Sequence, residues 1–123
     1  NKLIDASRAK LEVKDNYAAD LYFKIGEFKA ASVAFEQIIR KYPDSKNVDY
    51  YKLMSMKSAF RYAGNSIPEK QEARFKQVLA DYEEFKRRYP KSAYRSEVEK
   101  INSLSLQSLK KLASNDTSKK TSN

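Results

Sequence analysis

The sequence predicts an all-α protein made of antiparallel helical hairpins, about five helices in all, stacked into a short right-handed solenoid segment. Apolar residues return at intervals of three, four and seven along most of the 123 residues. The stretch from Tyr17 to Ser45 also alternates small and large side chains, with Gly26 between its two halves and Pro43 near its end. These observations are typical of helices joined by tight turns.

Side-chain size predicts how the first hairpin packs. Two helices approach closely where one offers small side chains and the other bulky ones, so we expect Ala31 to face Tyr22 and Ala19 to face Phe35. Gly26 can adopt the left-handed conformation that ends a helix at little cost. We therefore place the turn of the hairpin at this glycine.

The first two helices are predicted over residues 3–25 and 27–42. A break in helix 1 near Asp15 is an alternative, because Asp and Asn favour caps and turns. Helix 2 stops at Tyr42, since Pro43 has no amide hydrogen and restricts the residue before it. The first half of helix 1 lacks a partner in the hairpin, so we expect it to pack on material N-terminal to this chain or on the opposite side of helix 2. The residues predicted to face inward from helix 1 are Ile4, Leu11, Ala18, Leu21, Tyr22 and Ile25.

Helix 4 carries a start signal and a stop signal. Ser66 and Glu69 stand at the spacing of a capping box, in which each side chain bonds the other's backbone amide, and Pro68 suits the first turn. The helix ends at Tyr89, before a proline. Its apolar stripe begins only at Phe75, so we expect the first two turns to project beyond the core.

Helices 3 and 5 complete the domain. Helix 3, over residues 46–63, is apolar on several faces and should be sandwiched between other helices. Helix 5 runs over residues 92–112. Residues 1–113 form the predicted helical domain, which we interpret as the C-terminal part of a longer protein. Residues 114–123 offer no large apolar side chain and are predicted to be a disordered tail.

One unit of the sequence occurs twice. Tyr42-Pro43-Asp44-Ser45 returns as Tyr89-Pro90-Lys91-Ser92, and counting back from each proline aligns the two preceding helices. The helices match at Phe28 and Phe75, Ala31 and Val78, Phe35 and Tyr82, and Ile38 and Phe85.

The first unit resembles the tetratricopeptide repeat family. Ala19, Tyr22, Ala31, Phe35 and Pro43 stand at that motif's small, aromatic, small, aromatic and proline positions. Asp15 occupies a place where the motif has a bulky residue. The interval between the two units also exceeds the usual period of about 34 residues, mostly because helix 4 is long.

A closer resemblance covers about residues 3–101. Tyr22, Gly26, Phe28, Ala31 and the Tyr-Pro-Asp-Ser turn look like the C-terminal repeats of the BamD family of outer-membrane assembly lipoproteins. That resemblance implies a periplasmic scaffold at the outer membrane, tethered through an N-terminal lipidated cysteine upstream of this chain. It also implies binding to the periplasmic domains of the barrel-inserting core subunit.

The composition favours binding over catalysis. The chain has no histidine and no cysteine, which removes the commonest general base, the thiol nucleophile and the usual metal ligands. The remaining carboxylates, such as Asp81 and Glu84, fit a solvated helix face better than a metal site. We therefore predict no enzyme activity, no metal and no cofactor.

The resemblance leaves another periplasmic repeat scaffold of envelope maintenance as a first alternative. The charge of +9 leaves a nucleic-acid-binding module as a second. The basic excess is spread over the C-terminal two-thirds, and its one dense run lies at the end of helix 4, where cations offset the helix dipole. Tyr and Arg are enriched in protein interfaces, so solvent-facing examples are the candidates for partner contact. The candidate partner-binding residues are Arg61, Tyr62, Arg74, Lys86, Arg87 and Arg88.

Overall fold

The computed structural model describes the backbone of residues 1–121 and the side chains of residues 1–116. Within these residues the chain is all-helical and contains no strand, which confirms the predicted fold class. The five helices are α1 (Lys2–Lys24), α2 (Phe28–Lys41), α3 (Val48–Gly64), α4 (Pro68–Arg88) and α5 (Arg95–Thr121).

Helices that follow one another in the chain pack side by side. α1 packs on α2, α2 on α3, α3 on α4, and α4 on α5, while α3 also contacts α5. The predicted sandwiched position of α3 is confirmed, because every residue from Tyr51 to Met56 is buried. Odd-numbered and even-numbered helices run in opposite directions, so the α1–α2 turn, the α3–α4 turn and the end of α5 lie at one end of the bundle.

Two apolar clusters divide the core between the two repeats. The first joins α1, α2 and α3, and the second joins α3, α4 and α5. Because α3 contributes to both, it links the two hairpins into one packed body. The buried members of the first cluster are Ala19, Ala31, Phe35, Ile38, Tyr42, Tyr51 and Met54. Those of the second are Leu53, Met56, Val78, Tyr82, Phe85, Val98 and Ile101, with Tyr89 packed against them.

The first hairpin turns at Gly26, the residue predicted to make the turn. This glycine has a φ of 83°, in the left-handed region that other residues avoid. On either side of the turn, Ala19 and Ala31 are completely buried, so the two helices approach closely through small side chains.

The predicted inward face of α1 is wrong, because all six of its residues are exposed. Tyr22 is 42 % exposed, and its neighbour Phe23 packs against the first cluster instead, with its ring edge-on to Phe28 at 5.3 Å. One residue further along a helix is a rotation of about 100°, so the face toward α2 lies beside the predicted stripe. The helix continues without a break through Asp15. The predicted inward residues that are exposed are Ile4, Leu11, Ala18, Leu21, Tyr22 and Ile25.

α5 continues beyond the predicted boundaries. The structure has helix through Thr121, where the sequence predicts the domain to end at residue 113 and a disordered tail to follow. No glycine or proline interrupts this segment, so the helix has no local reason to stop. Residues 122 and 123 lie outside the described residues, and the division into domain and tail stays a prediction. A groove of about 910 Å³ separates Leu109 and Leu112 of α5 from the first turns of α4.

Candidate protein-interaction site

The structure separates the predicted partner-binding residues into two groups. Arg61 and Tyr62 lie in the last turns of α3, and Arg74 lies in the second turn of α4, so these three share one end of the bundle. Lys86, Arg87 and Arg88 form the last turn of α4 at the other end, roughly 18 Å away along the helix. The six residues therefore do not form one surface.

The first group belongs to what we call the cation–aromatic cluster, formed by Phe28, Lys29, Arg61, Tyr62, Ser66 and Arg74. Two cations lie over the ring of Tyr62: the Arg74 guanidinium at 4.3 Å from the ring centre and the Lys29 ammonium at 5.6 Å. Such contacts are attractive because the face of an aromatic ring carries negative potential. The ring thereby gathers positive charge from α2 and α4 onto the end of α3.

Ser66 holds the Arg74 side chain in place. Its hydroxyl donates a hydrogen bond to the backbone carbonyl of Tyr62 and accepts one from the Arg74 guanidinium. The predicted capping box is therefore wrong, since Ile67 is the N-cap of α4 and makes no side-chain capping bond. Pro68 begins the helix, which leaves Ser66 one position too early to cap and turns its hydroxyl back toward α3.

A second guanidinium occupies a similar position nearby. Arg61 lies over the ring of Phe28, 4.7 Å from its centre, and Phe28 in turn packs on Phe23. Arg61 is exposed, so the edge of its guanidinium is accessible to a partner. Two arginines thus lie over rings at the same end of the bundle.

None of the three cluster cations forms a salt bridge within the part of the chain whose side chains are described. Glu27 and Glu69 lie at the same end, but neither is within 4.0 Å of a lysine or arginine nitrogen. Six cations elsewhere in that part of the chain form salt bridges, for example Lys76 with Glu72 at 2.9 Å. The cluster cations Lys29, Arg61 and Arg74 are therefore held by rings and a hydroxyl rather than by carboxylates.

The basic run at the end of α4 is mostly satisfied within its own helix. Lys86 pairs with Glu83 at 3.2 Å and lies 4.8 Å from the centre of the Tyr82 ring, while Arg88 pairs with Glu84 at 3.2 Å. Arg87 is exposed and carries no such contact. Cations in the last turn of a helix also offset the helix dipole, so a structural role accounts for this run.

A buried charged group between α2, α3 and α4 was not predicted from the sequence. Lys52 is 6 % exposed, and its ammonium lies 2.8 Å from a carboxylate oxygen of Glu36 and 4.0 Å from oxygens of Asp81 and Glu84. Burial alone would lower the pKa of Lys52, but the hydrogen bond and charge of Glu36 outweigh it and raise that pKa. Burial raises the pKa of Asp81, and the Lys52 charge only partly offsets this. The only indication of this charged group in the sequence is that a lysine stands within the apolar run of α3.

A third feature is the outer face of α1. Large apolar side chains on this helix stay in solvent, including Leu3 at 79 % and Ile4 at 63 % exposure. The exposed large apolar residues of α1 and its C-cap are Leu3, Ile4, Leu11, Val13, Tyr17, Leu21, Tyr22 and Ile25.

The described residues contain neither a metal site nor a membrane-spanning helix. Their Asp and Glu side chains, with no His or Cys available, form no group of three or more placed to hold a metal ion. Over the same residues, every helix is too short or too polar to cross a lipid bilayer.

The stacked helical hairpins define a helical-repeat protein. The family model of the YfiO outer membrane lipoproteins matches residues 8–117, which is most of the chain. The chain therefore belongs to the YfiO outer membrane lipoprotein family, the BamD-like family that the sequence resembles. No protein with a curated description matches it.

Proposed function

We propose that this chain is a non-enzymatic scaffold of the outer-membrane β-barrel assembly machinery, acting at the periplasmic face of the outer membrane. The observation that carries the proposal is family membership over residues 8–117. A rigid helical repeat is suited to this role, because it presents a fixed surface built from several helices. The expected partners are the periplasmic domains of the barrel-assembly core subunit.

The outer face of α1 supports a scaffold role. Each Tyr-Pro turn has a serine that donates a hydrogen bond to an acid: Ser45 to Glu12 of α1, and Ser92 to Asp49 of α3. Taking Glu12 and Asp49 as equivalent aligns α1 with α3 at an offset of 37 residues. The alignment places the exposed Leu11, Ala18 and Leu21 of α1 at positions that α3 buries.

The α3 residues equivalent to Leu11, Ala18 and Leu21 are buried, and they indicate what this face of α1 would pack against. They are Val48, Ser55 and Ser58, and Ser55 donates a hydrogen bond to Glu36 of α2. By continuity with the interface between α3 and α2, we expect the outer face of α1 to pack against a further helix of the same kind as α2.

Binding to the purified periplasmic domains of the barrel-assembly core subunit tests the proposed function. The chain, immobilised through a tag, should retain these domains from solution, and the complex should persist at moderate salt if its centre is apolar. A control variant with Glu99→Ala changes an exposed residue of α5 and should bind equally well. Failure of every periplasmic domain to bind, with the chain folded by circular dichroism, would count against the proposal.

A further inference from the structure

We propose that the cation–aromatic cluster is a binding site for carboxylate side chains of a partner protein. The partner would contribute an acidic segment that lies across the start of α4 and the end of α3. The inference rests on the proposed scaffold function and names the chemistry of one contact surface. Its central observation is that Arg61, Arg74 and Lys29 lie over the rings of Phe28 and Tyr62 and form no salt bridge among the residues whose side chains are described.

The two guanidiniums are arranged in advance of binding. Arg74 is half-buried, lies 4.3 Å from the centre of the Tyr62 ring and donates to Ser66. Arg61 lies 4.7 Å from the centre of the Phe28 ring. A side chain already restrained in this way loses little conformational freedom when a ligand arrives, so more of the interaction energy remains as affinity.

The chemistry favours a carboxylate. A guanidinium offers its N–H groups along its planar edge, and two parallel hydrogen bonds from that edge match the two oxygens of a carboxylate. When the face of the guanidinium rests on a ring, the edge stays available. Lys29 adds a third positive charge beside the same ring, so the surface suits a segment with several acidic residues.

A general attraction to any anion would give a different pattern. The basic run at the end of α4 is at least as dense in charge, but two of its three cations are already paired with glutamates. Arg87 is the exposed arginine of that run, with no salt bridge among the described residues, and it has no ring beneath it. It is therefore the matched control for a site defined by geometry rather than by charge.

The test measures binding of a short fluorescein-labelled peptide in which glutamate alternates with leucine, by fluorescence anisotropy near physiological ionic strength. Arg61→Gln and Arg74→Gln should each weaken binding by about fivefold, as expected for a charge-assisted hydrogen bond at a partly exposed site. Arg87→Gln should change the affinity less than twofold. A matching peptide with glutamine in place of glutamate should not bind.

Two further variants separate a built site from simple charge. Arg74→Lys keeps the charge but loses the planar fork, so it should bind with an affinity between those of the parent chain and Arg74→Gln. Ser66→Ala changes no charge and should still weaken binding about twofold, because it releases the Arg74 side chain. Circular dichroism of each variant verifies that it is folded.

Several results would overturn the proposal. One is equal weakening by Arg87→Gln and Arg74→Gln, which would indicate a response to net charge. Another is tighter binding of a thymidine oligonucleotide, or of phosphatidylglycerol vesicles, than of the acidic peptide, since the site would then recognise phosphate. If the peptide fails to bind while the periplasmic domains still do, the scaffold function stands and this contact surface is wrong.

Discussion

The hydroxyl of Ser45 donates a hydrogen bond to the carboxylate of Glu12 at 2.7 Å, tying the turn after α2 to the middle of α1. The second repeat has the same arrangement, in which Ser92 donates to Asp49 at 2.6 Å. In each repeat, the serine of the Tyr-Pro turn follows the second helix of the hairpin and donates a hydrogen bond to an acid on the first helix. The turn therefore ends the second helix of the hairpin and also links it to the first.

Removing the Glu12 carboxylate should destabilise the first repeat. Glu12 also accepts a hydrogen bond from the phenol of Tyr51 at 2.6 Å, so Glu12→Ala leaves two partly buried donors unsatisfied. We expect the free energy of unfolding to fall by about 1–3 kcal/mol, measured by urea denaturation. Glu99→Ala, on the exposed face of α5, should change it by less than about 0.5 kcal/mol. Equal effects of the two substitutions would mean that the bonds to Glu12 contribute nothing to stability.

Asp15 should make stability depend on pH. Hydrogen bonds from the Lys41 ammonium at 2.9 Å and the Tyr42 phenol at 2.8 Å lower the pKa of its carboxyl below the ordinary value. A lowered pKa in the folded state contributes stability above the unfolded pKa of about 4, and that stability is lost as pH falls through the folded pKa.

The measurement compares the parent chain with Asp15→Asn at several pH values. The difference in their free energies of unfolding should be largest near neutral pH and should shrink below about pH 4. Asp44→Asn, on the exposed turn, serves as the control. A difference that stays constant with pH would show that the ionised form of Asp15 has no special role.

Two substitutions around the buried Lys52 should differ in how much stability they cost. Glu36→Gln removes the negative charge nearest the buried ammonium and leaves only those of Asp81 and Glu84 at 4.0 Å, so we expect a loss of about 1–3 kcal/mol in the free energy of unfolding. Asp81→Asn removes a charge whose burial raises its pKa, and its oxygen lies 4.0 Å from the ammonium. We therefore expect little loss at neutral pH, by thermal or urea unfolding, and a loss larger than that of Glu36→Gln would contradict this account.

The sequence was sufficient for the helices but not for their rotation. Apolar spacing identifies α2 well, because its single stripe with Ala31, Phe35 and Ile38 is buried. α1 has apolar residues on two adjacent faces, and spacing alone cannot say which of them meets α2. In the structure, the face of α1 with Ala19 and Phe23 packs against the first apolar cluster.

The sequence predicts three of the six members of the cation–aromatic cluster as partner contacts, but it does not predict the cluster itself. Residue type and helix position indicate Arg61, Tyr62 and Arg74 but not Lys29, because Lys29 comes from a helix distant in sequence. Ser66 was assigned to a capping box from its spacing to Glu69. Only the folded chain shows its hydroxyl between Tyr62 and Arg74.

The two glycines provide a matched pair for the last prediction. Gly26 has a φ of 83°, whereas Gly64 ends α3 without a positive φ, and a Cβ added at either position would meet no atom within 4 Å. Backbone conformation is therefore the main difference between them. Gly26→Ala should lower the free energy of unfolding by about 1–2 kcal/mol, because an alanine is strained in the left-handed region. Gly64→Ala should raise it by about 0.5 kcal/mol, since alanine favours helix and reduces the freedom of the unfolded chain. Urea denaturation measures both, and a gain in stability from Gly26→Ala would show that the α1–α2 turn adopts another conformation.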